Sequence, residues 1–229
     1  MTILEETEKN SITEELESIK QLRLESLLQQ RHSEFMDVMY SCFGLKERPR
    51  NIPVNFTDTG TKEGFLCINN KKNRIEINKK FIKESIEENL GIELITPHET
   101  AHYLHAIRQP EFYIKNYKDL TDRERRYLER IAELATLVFL DESGRGGAEQ
   151  YFKLNMKSLK VPVMPDGHQY WPRETPSPII CTWISNMDKL VIARKRLQKM
   201  VDLSRSEFEL IDDHDLLHKV VLYPDQRVK

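Results

Sequence analysis

The chain has 229 residues, a formal net charge of −2 and charged side chains at 31% of its positions. This length suffices for one sizeable domain with a hydrophobic core, and the charge balance argues against a nucleic-acid partner. The first residues lack a basic start followed by an apolar run, and no stretch approaches about 18 uninterrupted apolar residues. We therefore expect a cytoplasmic protein with no membrane segment.

The cysteines give little indication of a function. Cys42, Cys67 and Cys181 stand far apart, and no C-x-x-C pair occurs. This pattern argues against a disulfide framework and against a zinc site built from thiolates. We expect the cysteines to be reduced and partly buried.

The first predicted element is a long N-terminal helix. Ser11 and Glu14 match a capping box, and apolar residues follow at helical spacing to about Cys42. Gly44 is then expected to end the helix. Residues 1–49 are predicted to form an N-terminal helical segment.

A small sheet is predicted next. Apolar residues alternate at 52–56, and the segments FLCIN at 65–69 and RIEIN at 74–78 extend this pattern. NKKN at 70–73 lies between the last two segments and is typical of a hairpin loop. We expect three or four strands.

Two helices are predicted after the sheet. The segment FIKESIEENL at 81–90 has helical periodicity. A second helix covers ITPHETAHYLHAI at 95–107, and Pro110 should end it.

A further helix should lie in the interior of the protein. Thr121 and Glu124 match a capping box, and the helix becomes apolar on every side through 131–140 before Gly144. A helix that is apolar all round must be buried.

The C-terminal part is predicted to be a proline-rich loop followed by helices. Half of the ten prolines fall within 162–178, and helical segments follow near 184–203 and 206–222. Together these elements predict an α+β fold, with a core at 50–145 and a C-terminal region at 146–229 that packs on it.

The segment HETAH at 98–102 is the strongest functional motif in the sequence. Residues four apart lie one turn above each other, so His98 and His102 can present two ring nitrogens to one metal ion. Glu99 is rotated by about 100° from His98, which leaves it near the ion but outside the ligand stripe. In such H-E-x-x-H sites the metal activates a water, and the glutamate accepts its proton during attack on a carbonyl. The segment therefore predicts a Zn²⁺ site and peptide-bond hydrolysis, with Glu99 as the general base.

At these residues the sequence resembles the gluzincin metallopeptidases. HETAH matches their zinc-binding helix, and ERIAE at 129–133 matches their second, glutamate-bearing motif. The order of elements over about 50–145 is most similar to minigluzincins and ImmA/IrrE-type peptidases. The resemblance implies a single-zinc peptidase that acts on a peptide or protein substrate. Its cleft would run between the upper sheet strand, which holds an extended substrate, and the active-site helix.

Two residues compete for the third ligand position. Glu133 interrupts an apolar run, where a carboxylate needs a cation or a hydrogen-bond partner. Glu129 fits the gluzincin pattern, because Ala132 and Glu133 then stand three and four positions after the ligand. We favour Glu129 as the ligand and Glu133 as the residue that supports it, with Glu133 as the alternative ligand.

The proline inside the motif leaves the role of Glu99 open. Thr96 could cap the helix with Pro97 at its first position, so that Glu99 forms a capping box and is structural. Alternatively, IELIT at 92–96 is already helical and Pro97 kinks it. We favour the second interpretation, in which Glu99 acts as the general base.

Other zinc families fit less well. His105 and Arg108 occupy the positions where a metzincin requires glycine and histidine. A SprT-like protease should have a third histidine on a later helix, and none occurs between His105 and His168. His105 itself is expected to pack on the helix without binding metal.

Weaker candidates lie outside the motif. In the loop DGHQYWPR, His168 is a possible catalytic residue and Arg173 a possible substrate-binding residue, because the stretch resembles one in neprilysin-type gluzincins. An exposed loop is the alternative. His214 and His218 repeat the four-residue spacing, but they are more typical of surface residues. Three tyrosines are undistinguished candidates as oxyanion donors: Tyr103, Tyr113 and Tyr127.

Three functional hypotheses follow. The leading one is a zinc metallopeptidase of the gluzincin type. The second is a catalytically silent zinc-fold protein that acts as a binding or regulatory partner through about 150–229. The third is a metal-free helical interaction protein.

Overall fold

The computed structural model combines helices with one small mixed sheet, as expected for an α+β fold. The residues that it describes are 3–57, 64–67, 73–79, 95–116, 119–143 and 190–211. Within these residues, no helix combines the length and apolar character needed to cross a membrane.

Helix α1 spans Ile3–Met39 and continues into a 3₁₀ turn at Tyr40–Phe43. The prediction that it begins at Ser11 is wrong. Residues 3–10, ILEETEKN, include three glutamates, one leucine and one lysine, which favour a helix, so the chain is already helical before that capping pattern. Gly44 ends the segment as predicted, with a φ of 68°, a left-handed conformation that glycine adopts at little cost.

The sheet contains β1 at Val54–Thr57, β2 at Gly64–Cys67 and β3 at Arg74–Asn78. Its order is β1-β3-β2. Strand β2 pairs with β3 in antiparallel fashion, as the predicted hairpin requires. Strand β1 pairs with β3 in parallel, so the chain crosses from one edge of the sheet to the other before it enters the centre. The two edges are therefore β1 and β2.

Helix α2 spans Ile95–Arg108 and packs against the sheet and against α1. It ends before Pro110, as predicted, and a 3₁₀ turn at Pro110–Tyr113 follows. A proline has no N–H to donate and disfavours helical conformation in the residue before it. The chain therefore turns back beneath the last turns of α2.

A buried polar link joins the back of α2 to α1. The Thr100 hydroxyl donates to the Thr96 carbonyl at 2.6 Å, so it accepts from His32 Nδ1 at 2.8 Å. His32 Nε2 accepts the backbone N–H of Ile52 at 3.1 Å. The imidazole is therefore neutral, and burial, assisted by the charge of Arg48, lowers the pKa of His32 to about 4.

Helix α3 spans Asp122–Glu142 and is the central helix of the core. The predicted capping box is present, because the Thr121 hydroxyl accepts from Glu124 N–H and Glu124 accepts from Thr121 N–H. Most residues between Leu128 and Leu140 are buried, which confirms the prediction of an interior helix.

The described C-terminal residues pack against α3. They form α4 at Leu190–Asp202 and α5 at Arg205–Leu210, close to two predicted helical segments. The Tyr127 hydroxyl of α3 donates to the Met200 carbonyl. Ser204 and Glu207 form the capping box that begins α5.

Several sequence predictions lie outside the described residues. These are the helix at 81–90, the proline-rich loop at 162–178 with His168 and Arg173, and the pair His214 and His218.

Candidate metal centre

Helix α2 presents two histidines on the side that faces α3. His98 and His102 are one turn apart, their ring centroids are 5.0 Å apart, and the ring planes are inclined by 77°. The spacing of four residues places the two rings side by side on one face of the helix.

Helix α3 supplies a carboxylate to the same point. Glu129 Oε2 lies 3.1 Å from His98 Nε2 and 3.7 Å from His102 Nε2. One ligand atom from each of the three residues lies within 4.8 Å of the other two. Among the described residues, this is the cluster of histidine, cysteine and acidic side chains that could hold a metal ion.

Two of the ligand-atom separations in the cluster are close to those of a tetrahedral zinc site. In a tetrahedral site with bonds of about 2.1 Å, ligand atoms lie about 3.4 Å apart. The two measured separations from Glu129 Oε2, 3.1 and 3.7 Å, lie on either side of that value. Two imidazoles and one carboxylate are also a ligand set typical of catalytic zinc.

The cluster is partly open to solvent. The exposed fractions of the side chains are 18% for His98, 10% for His102 and 35% for Glu129. A structural zinc site is normally closed by four protein ligands, whereas a catalytic site leaves one position for water or substrate. The cluster brings together three such side chains at a partly exposed position.

The charges of the cluster favour a cation. Burial opposes protonation of His98, but the hydrogen bond and charge of Glu129, with Glu99 and Glu133 nearby, raise the pKa of His98 to about 9. Burial likewise opposes ionisation of Glu129, yet its hydrogen bonds to both histidines hold its pKa well below the usual range. A metal ion would take the place of the proton that this site attracts.

Glu99 lies beside this cluster in a nearly closed environment. It is 7% exposed, and its charge contributes to the electrostatic environment of both His98 and Tyr113. It also acts on Cys67 at the end of β2, where burial and Glu76 are the larger causes of a raised thiol pKa. The charge of Glu99 is therefore close enough to the histidine cluster to act on it.

The capping box between Thr96 and Glu99, which the sequence left open, is not formed. Thr96 is the second residue of α2, not the residue before it. Its buried hydroxyl makes no hydrogen bond among the described residues, so it does not cap the N–H of Glu99. Pro97 lies in the first turn described for the helix, where a missing N–H is tolerated.

Glu133 lies one turn beyond Glu129 and is outside the three-residue cluster. Its side chain is partly buried, and its charge is the weakest of the three carboxylate contributions that raise the pKa of His98. The arrangement brings Glu129 to the histidines and leaves Glu133 at their periphery.

Tyr113 is a site residue whose position the sequence did not reveal. Its hydroxyl lies 3.3 Å from His102 Nδ1 and 3.2 Å from His105 Nδ1. The other two tyrosines are engaged elsewhere, since the Tyr103 hydroxyl donates to the Arg50 carbonyl and the Tyr127 hydroxyl to the Met200 carbonyl. The one available signal was Pro110, which ends α2 and turns the following aromatic residues back towards it.

Comparisons with known proteins do not identify a relative: no family model, no curated protein and no solved structure matches this chain. The functional argument therefore depends on the site itself.

Proposed function

We propose that this protein is a zinc-dependent peptidase with the architecture of a gluzincin active site. The observation that carries the proposal is the convergence of His98, His102 and Glu129, with the buried carboxylate of Glu99 beside them. Two imidazoles and one carboxylate that converge from two helices, with a side left open, are the ligand set of a catalytic metal site.

A bound zinc ion would polarise a substrate carbonyl and lower the pKa of water towards about 7. The protein would hold this ion with His98 and His102 from α2 and Glu129 from α3. Because the ligands come from two helices, the site exists only in the folded chain.

Glu99 would act as the general base. It follows His98 on the same helix turn, it is nearly buried, and its charge acts on His98. From that position it would accept a proton from the attacking water and pass it to the leaving amine. The low exposure of Glu99 limits exchange of this proton with bulk solvent.

Strand β2 would position the substrate. It is an edge of the described sheet, and it packs against α2. An edge strand offers unpaired backbone groups to an extended peptide, which can add to the sheet as a further strand. A peptide added to β2 would run alongside α2.

Hydrolysis of a mixed peptide library tests the proposal. The purified protein, loaded with one equivalent of zinc, should cleave members of the library, and a chelator should abolish the cleavage. The Glu99→Gln variant should retain its zinc but lose about 10²- to 10⁴-fold in rate, the usual contribution of a general base. Glu47→Gln is the matched control, because Glu47 is an exposed carboxylate distant in sequence from both site helices.

The outcomes separate the competing functions. Stoichiometric zinc without any cleavage would overturn the peptidase and leave a silent zinc-fold protein. Cleavage that survives both the chelator and the Glu99→Gln change would come from another source. Absence of zinc binding would leave the metal-free interaction protein.

A further inference from the structure

The hydroxyl of Tyr113 lies between two imidazole rings. It is 3.3 Å from Nδ1 of His102 and 3.2 Å from Nδ1 of His105. Both rings meet the tyrosine ring nearly edge-on, at interplanar angles of 71° and 72°. One hydroxyl therefore joins the second histidine of HETAH to a histidine that lies deeper in the core.

His105 is fixed and neutral in this position. It has no exposed surface, and its ring packs against those of Phe112 and Tyr127 at centroid distances of 5.5 and 6.3 Å. Burial lowers the pKa of His105 to about 3. A neutral imidazole has one nitrogen that donates and one that accepts, so the Tyr113 contact depends on which nitrogen carries the proton.

The Tyr113 hydroxyl can hydrogen-bond to the two imidazole rings in only a few ways. It has one proton to donate, so it cannot donate to both Nδ1 atoms. If His102 binds an ion through Nε2, its proton must be on Nδ1, which then donates to the Tyr113 oxygen. The Tyr113 proton is then directed at His105 Nδ1, which must be the unprotonated nitrogen.

We infer that Tyr113 and His105 are positioning residues for the metal ligand His102. They form a directed chain in which His102 Nδ1–H donates to the Tyr113 hydroxyl, and that hydroxyl donates to His105 Nδ1. The chain keeps the lone pair of His102 on Nε2, the atom that lies 3.7 Å from Glu129 Oε2. This inference rests on the proposed metal site.

The hydrogen-bond chain leaves one polar group unsatisfied at its inner end. With Nδ1 of His105 accepting, its proton is on Nε2, and that buried nitrogen has no hydrogen-bond partner among the described residues. If both histidines donated instead, the tyrosine proton would also lack a partner. The directed chain therefore leaves fewer polar groups unsatisfied.

Nitrogen-15 NMR of the histidine side chains tests the direction of the chain. In the wild-type protein with one equivalent of zinc, we expect His105 to carry its proton on Nε2 and to have an unprotonated, hydrogen-bonded Nδ1. In Tyr113→Phe, the Nδ1 resonance should move to the position of a nitrogen without a hydrogen bond.

Zinc affinity provides the second measurement. Loss of a partner of a ligating histidine typically weakens affinity by about 10- to 100-fold. We expect Tyr113→Phe to weaken zinc affinity by about 10-fold, the lower end of this range, because the hydrogen-bond chain already leaves one N–H unsatisfied. Tyr103→Phe is the matched control, because it also removes one tyrosine hydroxyl. That hydroxyl contacts the segment between α1 and β1 and not the cluster, so zinc affinity should be unchanged.

The results distinguish this inference from the proposed function. A zinc-bound wild type with the His105 proton on Nδ1 would overturn the directed chain while the metal site stands. Wild-type affinity in Tyr113→Phe would overturn the positioning role. If the wild-type protein binds no zinc at all, the metal site and this inference fail together.

Discussion

Histidine side chains lie on two opposite sides of helix α2. His98 and His102 belong to the helix and face α3. On the other side, Thr100 contacts His32 of α1. Thr100 is two residues from each metal-side histidine, a rotation of about 200°. On the α3 side, a carboxylate lies beside the rings, and the pKa of His98 is raised to about 9 against the opposing effect of burial. On the α1 side, a hydroxyl and a backbone amide surround His32, and burial lowers its pKa to about 4.

The contrast indicates that the hydrogen-bond partner of a histidine, and not its burial alone, decides what the histidine can bind. Glu129 supplies a negative charge that draws a proton or a metal ion. The Thr100 hydroxyl and the Ile52 N–H satisfy both nitrogens of His32 without any charge. One side of the helix is therefore suited to a cation, and the other fixes the helix to α1.

The largest expected effect concerns the carboxylate that distinguishes the two sides. Glu129→Ala should abolish zinc binding, because it removes one of three ligands. Glu133→Ala should weaken affinity by about 10- to 100-fold, the usual cost when a supporting residue is lost. A zinc titration of both variants compares them on one helix, one turn apart. The reverse ranking would make Glu133 the ligand.

His32, on the side of α2 that faces α1, should make the stability of the fold depend on pH. The folded-state pKa of His32 lies below the unfolded value of 6.5, so the unfolded chain binds the extra proton. This contribution is present above pH 6.5 and is lost as the pH falls towards about 4, by about 3 kcal/mol in total.

Chemical denaturation at pH 7 and pH 4.5, in the presence of a chelator, measures this loss. In His32→Gln the decrease in unfolding free energy between the two pH values should be smaller than in the wild type. His105 also has a lowered pKa, to about 3, so part of the slope should remain. An unchanged slope in the variant would contradict a neutral, buried His32.

Zinc should stabilise the fold through the side that faces α3. A ligand that binds only the native state contributes about 2.7 kcal/mol at a concentration 100 times its Kd. Thermal unfolding with and without zinc should show this shift in the wild type and not in a variant with both His98→Ala and His102→Ala. An equal shift in that variant would place the stabilising ion elsewhere.

The smallest effect is expected for a contact that belongs to neither side. In Tyr103→Phe, the hydroxyl that donates to the Arg50 carbonyl at 3.2 Å is removed. One hydrogen bond is worth about 1 kcal/mol, and zinc binding should not change. Unfolding in denaturant measures the first quantity and a zinc titration the second. A clear loss of zinc affinity would mean that the two sides of α2 are more strongly coupled than the contacts indicate.

Local patterns were enough to predict the parts of this site that depend on helix geometry. The spacing of His98 and His102 brings their rings together on one face of α2, and the Thr121–Glu124 capping box fixes where α3 begins. The choice of Glu129 over Glu133 came from a family resemblance, and the structure brings that residue within reach of both histidines.

Contacts between distant parts of the chain were not accessible from the sequence. His32 and Thr100 are 68 positions apart, and nothing in either neighbourhood indicates their pairing. The parallel pairing of β1 with β3 likewise depends on the path of the intervening chain. The start of α1 was missed for a different reason, because a capping pattern at Ser11 is compatible with the interior of a helix when the preceding residues also favour one.

X-ray diffraction at the zinc absorption edge tests the central claim most directly. A crystal of the wild-type protein grown with one equivalent of zinc should give one anomalous peak, about 2.0 to 2.2 Å from His98 Nε2, His102 Nε2 and a Glu129 carboxylate oxygen. A peak at other residues, or none at these three despite added zinc, would contradict the account.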